Sequence, residues 1–221
     1  MAGNMQLTAS DNHTLDAYRA TADGMRKGGV VIIQEIFGVN GHIRDVCDGY
    51  AKAGYDAVAP ALFDRIRPDV ELGYTPEGVA EGRELAAAIG WDDPVLDIEA
   101  AARALEPSGR VGVIGYCWGA SWTWVAAARL NLGCAVSYYG RHIVELLDEK
   151  PRCPVMMHFG ADDASIPLEN VEKVRAAFPD FPIHVYEGAG HGFNCDRRGD
   201  YHSEHAGTAL ERTLAFLEAN L

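Results

Sequence analysis

Short apolar runs and stretches of helical periodicity alternate along nearly the whole chain. The runs VVIIQE (30–35), YDAVAP (55–60), RVGVIG (110–115), CAVSYY (134–139), PVMMHFG (154–160) and PIHVYEG (182–188) are rich in β-branched residues and bounded by glycine or proline. That composition predicts strands. The segments between and after them, 41–53, 76–89, 93–105, 118–130, 168–177 and 203–220, read as helices. In the last, Leu210, Leu214, Leu217 and Leu221 fall at helical spacing and predict one core-facing stripe. Strands that are apolar at nearly every position are buried on both faces, which points to a mostly parallel central sheet with helices on both sides. The opening stretch, MQLTA to HTLDAYRA, predicts an antiparallel pair at the sheet edge. With no internal repeat, linker or low-complexity tract, the expectation is a single α/β domain over 1–221.

Composition narrows the partners. At 221 residues and 48% hydrophobic content the chain can bury a full core without staples. Its formal net charge of −13 repels phosphate backbones and anionic bilayers, so neither nucleic acid nor membrane is an expected partner. A small anionic substrate stays compatible, because one or two local arginines outweigh the global field. Cys47, Cys117, Cys134, Cys153 and Cys195 form no CxxC pair, which argues against a zinc ribbon or a thioredoxin-type motif. Free thiols, an N-terminal stretch without a basic and apolar leader, and no run of 18 apolar residues lead to the expectation of a cytoplasmic protein, monomeric or a small homo-oligomer.

In open α/β sheets, ligands sit outside the carboxyl ends of the strands. After VGVI comes Gly115-Tyr116-Cys117-Trp118-Gly119 and then a good helix. This G-x-C-x-G is the cysteine version of the nucleophile turn of α/β-hydrolases. A thiol at a helix N-terminus is biased toward thiolate, and the Trp118 N–H is placed to donate to an oxyanion. After the next-to-last strand come Asp162 and Asp163, and after the last comes His191 in GAGHGF, giving the order nucleophile, acid, base. Physics alone does not choose between the two aspartates. QEIFGVN (34–40) follows the first buried strand and offers the Ile36 N–H as a second oxyanion donor. Glu35, at the end of a buried strand, costs desolvation unless something uses it, and an ion pair with Arg44 is the plainer reading.

QEIFGVN, GYCWGA, GADDASIP, GAGHGF and the tail ALERTLAFLEANL together resemble the dienelactone hydrolases (carboxymethylenebutenolidases), which are α/β-hydrolases with a catalytic cysteine. The resemblance spans essentially the whole chain. It implies Cys117 as nucleophile, His191 as base and Asp163, in the pattern G-x-x-D-x-x-[IV]-P, as the orienting acid. It also implies that Glu35 helps generate the thiolate when substrate binds, and that Tyr138 or Tyr139 lines the pocket. One departure stands out. Where the family carries an arginine four residues after the histidine, to hold a substrate carboxylate, this chain has Cys195. Arg83, Arg65, Arg67, Arg197 and Arg198 remain candidates for that handle, and an incomplete clamp predicts that neutral esters compete with acidic ones.

The expected activity is hydrolysis of a small-molecule lactone or activated enol or aryl ester, with no cofactor and no metal. A general carboxylesterase acting on neutral esters is the alternative within hydrolases. A redox-sensing thiol protein is the alternative from another class, and the Asp–His pair argues against it, since a sensor needs a resolving cysteine. Trp118 and Trp122 share a helix face as core or pocket wall. His202 and His205 lack a third ligand and read as surface histidines. His13, His42, His142, His158 and His184 carry no pattern.

Overall fold

The computed structural model describes residues 2–221. Eight strands form one sheet: β1 (Ala2–Thr8), β2 (Thr14–Ala20), β3 (Gly28–Ile33), β4 (Tyr55–Pro60), β5 (Val111–Tyr116), β6 (Cys134–Tyr138), β7 (Val155–Gly160) and β8 (Ile183–Tyr186). Their order is β1-β2-β4-β3-β5-β6-β7-β8. From β4 to β8 every pairing is parallel, and β1–β2 and β2–β4 are antiparallel. The expected edge pair is therefore present. Every residue of β3, β4, β5, β6 and β7 is buried, as their mostly apolar sequences predict, with Asp56, Ser137 and His158 as buried polar exceptions.

Six helices flank the sheet: α1 (Gly41–Lys52), α2 (Pro76–Ala88), α3 (Asp93–Leu105), α4 (Trp118–Arg129), α5 (Leu168–Ala177) and α6 (Ser203–Asn220). The two faces are told apart by neighbouring residues of β5. Tyr116 stacks on Tyr138 of β6 with ring centroids 4.8 Å apart. Its hydroxyl meets Tyr50 of α1, while Tyr138 hydrogen-bonds Thr213 of α6 at 2.7 Å. The adjacent Gly115 points the other way, against α4. A Cβ there would lie 2.2 Å from the Gly119 carbonyl oxygen, and one on Gly119 would lie 2.3 Å from that of Gln34. The two glycines flanking Cys117 thus let α4 press onto β5 and the end of β3. Helices cover both faces, and the fold is that of the α/β-hydrolases.

α6 corrects one expectation. Leu217 is buried, but Leu210 is 43% exposed, and the inward face runs through Ala206, Ala209, Thr213 and Leu217. Small residues let the helix approach closely, and the Thr213 hydroxyl is held by both Tyr138 and His158. Leu214 and Leu221 also pack against the core, so the leucine stripe turns inward except at Leu210, with the buried Thr213 anchor beside it.

Candidate active site

Cys117 lies between β5 and α4 with φ 54° and ψ −114°. A non-glycine residue held there stores about 1–3 kcal/mol of strain. The conformation is fixed from both sides. The Cys117 N–H donates to the Tyr138 carbonyl at 2.9 Å, and the Cys117 carbonyl accepts from the Ala120 N–H at 3.1 Å. This sharp turn lifts the thiol off the sheet and aims it at the loops that follow β7 and β8.

His191 Nε2 lies 3.0 Å from Cys117 Sγ, and His191 Nδ1 lies 2.7 Å from Asp163 Oδ2. The other Asp163 oxygen accepts from the Ser165 N–H at 2.8 Å. Asp163 is buried, whereas Asp162 is exposed, so backbone geometry separates the two candidates. Burial alone would push the His191 imidazolium down. The charge at Cys117 and the hydrogen bond to Asp163 outweigh it and raise His191 to about 10. The imidazole, held between the thiol and a buried carboxylate, is placed to exchange a proton with Sγ.

The Trp118 N–H belongs to the first turn of α4, whose amides have no partner within the helix. Ile36, in the turn after β3, and Trp118 line the same cavity as Cys117 and His191. α2 closes on the Ile36 turn so tightly that a Cβ on its Gly82 would sit 2.1 Å from the Ile36 carbonyl oxygen.

Glu35 is 1% exposed and doubly held. Arg198 Nη1 donates to its Oε1 at 3.1 Å, and the Tyr74 hydroxyl donates to its Oε2 at 3.2 Å. Burial, followed by the Glu35 charge, pushes the Tyr74 phenol up, so it stays protonated and donates. The expected partner Arg44 is instead paired with Glu71. Cys117 is not among the hydrogen-bond partners of Glu35.

The two tyrosines need correction. Tyr138 does not line the pocket, because successive strand residues alternate faces and it points with Tyr116 toward α6. Tyr139 is fully buried with φ 46°, and its ring meets His191 edge-on at 5.3 Å. It supports the histidine from behind and is not part of the cavity wall.

The cavity measures about 670 Å³ and is walled by Trp118, Trp122, Trp91 and residues of α2. Trp91 packs on Trp122 with ring centroids 4.6 Å apart. Trp124 is in the core, where its indole N–H donates to the Leu146 carbonyl. Among the candidate arginines, Arg65 is taken by Asp97 and Asp11, Arg67 by Glu81 and Arg197 by Asp45. Arg83 and Arg141 line the cavity and form no ion pair among the described residues, and Arg198 lines it while bound to Glu35. Sequence reasoning missed Arg141 and Trp91. Arg141 follows the carboxyl end of β6, so the strand-end rule already pointed to it. Cys195 is buried and its thiol is pushed up to about 11 by burial, while a guanidinium enters the site from Arg198 instead. His202 and His205 stack on each other at 3.9 Å, and His205 Nε2 pairs with the Glu187 carbonyl. No helix among the described residues is long and apolar enough to cross a membrane.

Comparison with known proteins gives the family and the fold. Residues 15–221 match the model of the dienelactone hydrolase family. The chain is 35% identical over 212 residues to a candidate carboxymethylenebutenolidase of Synechocystis, covering 87% of this chain and 86% of that protein. It is 32% identical over 223 residues to a carboxymethylenebutenolidase of Pseudomonas putida, covering 96% and 94%. The crystal structure of a candidate dienelactone hydrolase from Klebsiella pneumoniae superposes with a TM-score of 0.86 at 32% identity, covering 98% of both chains.

Proposed function

The chain belongs to the dienelactone hydrolase family, and from that premise we propose that it opens lactones and cleaves activated esters through a thioester on Cys117. The 3.0 Å contact between Cys117 Sγ and His191 Nε2, with Asp163 on the far nitrogen, carries this reading. The thiolate attacks the carbonyl carbon, and the N–H groups of Ile36 and Trp118 receive the oxyanion. Collapse breaks the C–O bond, and the His191 imidazolium gives its proton to the departing oxygen. Neutral His191, oriented by Asp163, then takes a proton from water as the hydroxyl attacks the thioester. Cys117 leaves as thiolate and the acid is released. A thiolate leaves more readily than an alkoxide, so a tetrahedral adduct on sulfur goes forward only when the leaving oxygen is itself stabilised. Strained lactones and enol or aryl esters meet that condition.

Substrates that carry a carboxylate suit this pocket best, because Arg83 and Arg141 offer guanidiniums without an acidic partner. This reading departs from the expectation of an incomplete clamp. The Glu35–Arg198 pair gives the glutamate a role. A substrate carboxylate that engages Arg198 competes with Glu35, so the glutamate holds that guanidinium in place until an acidic substrate arrives.

The test is trapping. With an aryl ester, the His191→Ala protein should accumulate one acyl group on Cys117, seen as a mass increment on the peptide containing it, while Cys117→Ala should neither acylate nor turn over. Turnover by Cys117→Ala at a tenth of the wild-type rate would sink the assignment, since loss of a nucleophile costs several orders of magnitude.

A further inference from the structure

Glu35, His42 and Cys195 come from three separate segments: the turn after β3, the first turn of α1 and the stretch following His191. One potential ligand atom from each lies within 4.8 Å of the other two, and all three residues are buried. Hydrolysis as proposed above uses neither His42 nor Cys195. His42 Nδ1 faces Asp196 Oδ1 at 3.4 Å. Its other nitrogen, Nε2, has no hydrogen-bond partner although the residue is only 4% exposed. Leaving a buried polar atom unpaired costs about 1–3 kcal/mol, so this nitrogen calls for a ligand.

We propose that Glu35, His42 and Cys195 form a zinc site beside the catalytic pocket, with Asp196 orienting His42. The donor set of one carboxylate oxygen, one imidazole nitrogen and one thiolate suits a borderline-soft divalent ion, and hard cations such as magnesium are poorly matched to it. A carboxylate on the outer nitrogen of a ligating histidine is the usual support for such a site. Bonds of about 2.0 Å to nitrogen and oxygen and 2.3 Å to sulfur place tetrahedral ligands roughly 3.3–3.7 Å apart. The cluster therefore closes by at most about 1.5 Å on binding. Glu35 can serve without leaving the active site, since Oε1 stays with Arg198 while Oε2 exchanges the Tyr74 hydroxyl for the metal. Binding forms the metal–sulfur bond and releases the Cys195 proton to solvent. The site does not depend on the thioester reading, because Cys117 is not part of it.

The experiment uses the Cys117→Ala protein, so that the catalytic thiol and histidine cannot hold metal together, and titrates it with Co²⁺. One equivalent should bind with a thiolate-to-cobalt charge-transfer band, and Zn²⁺ should displace it. The band should vanish when Cys195→Ala is added. His42→Gln should weaken binding by more than the roughly 10- to 100-fold expected for Asp196→Ala. If Cys195→Ala fails to fold by circular dichroism, Cys195→Ser tests the loss of the same thiolate. A band that survives removal of Cys195, an affinity indifferent to His42→Gln, or no stoichiometric binding would each overturn the site.

Discussion

Gly82→Ala is a test of the oxyanion site made from outside it. The added methyl would lie 2.1 Å from the Ile36 carbonyl oxygen and 3.1 Å from its carbon, against an ordinary contact of 3.4–4 Å. The methyl cannot rotate away and both contact atoms are backbone, so α2 or the Ile36 turn must move by about an ångström. Overpacking of this kind costs about 1–3 kcal/mol, and Tm should fall by about 2–4 °C per kcal/mol in a chain of this size. The chemical effect should be larger. Loss of one oxyanion donor lowers kcat by about 10²–10³-fold, and a displacement of about an ångström costs roughly 10²-fold. We expect kcat for an aryl ester to drop about 10- to 100-fold, at or below the bottom of the range for a lost donor, because the donor is shifted and not deleted. Alkylation of Cys117 by iodoacetamide builds no oxyanion, so its rate should hold within about twofold if the Cys117–His191 pair is undisturbed. Measuring both rates on folded protein separates the two effects. An unchanged kcat, or equal losses in turnover and alkylation, would refute the role given to the Ile36 turn.

Two further outcomes follow from the site. Arg83→Ala and Arg141→Ala should each lower kcat/KM for an acidic lactone by about 10- to 150-fold, the equivalent of one charge-assisted hydrogen bond, and leave its methyl ester nearly unaffected; equal loss on both substrates would show that these arginines do not read the carboxylate. Burial opposes the His191 charge, but the Cys117 charge and Asp163 lift it from the ordinary histidine value of 6.5 to about 10. A value raised in the folded state stabilises fully below about pH 6.5 and loses that contribution as pH rises through about 10. The urea midpoint of the wild type should therefore fall more steeply over that interval than that of His191→Gln, and parallel profiles would contradict the coupling.

Much of the fold is legible because buried parallel strands announce themselves: the mostly apolar runs of β3 to β7 leave little choice of architecture. Cys117, Asp163 and His191 follow a rule of position, each coming soon after a strand, and His191 lies within hydrogen-bond reach of both the others. What escaped detection depended on direction or on distant pairing. Tyr138 and Tyr139 are adjacent in sequence, but alternation sends one to α6 and the other behind His191. The leucine stripe of α6 turns inward except at Leu210, and the buried hydrogen bonds of Thr213 were not legible in its spacing. Glu35 found Arg198, 163 residues away, and not the nearer Arg44. Glu35, His42 and Cys195 share no local spacing, so no motif announces them.

Helix α2 has two duties, and this bears on how such an enzyme diversifies. Val79, Arg83, Ala86 and Ala87 face the cavity, while Gly82 on the same helix abuts the Ile36 turn. Mutational drift that tilts or shifts α2 to admit a new substrate also disturbs the groups that perform chemistry on every substrate. New specificities are then most accessible by exchanging side chains on a helix that stays in place, with Gly82 as the fixed pivot. A library randomised at Val79, Arg83, Ala86 and Ala87 searches that permitted space, whereas one that also varies Gly82 fills with inactive members.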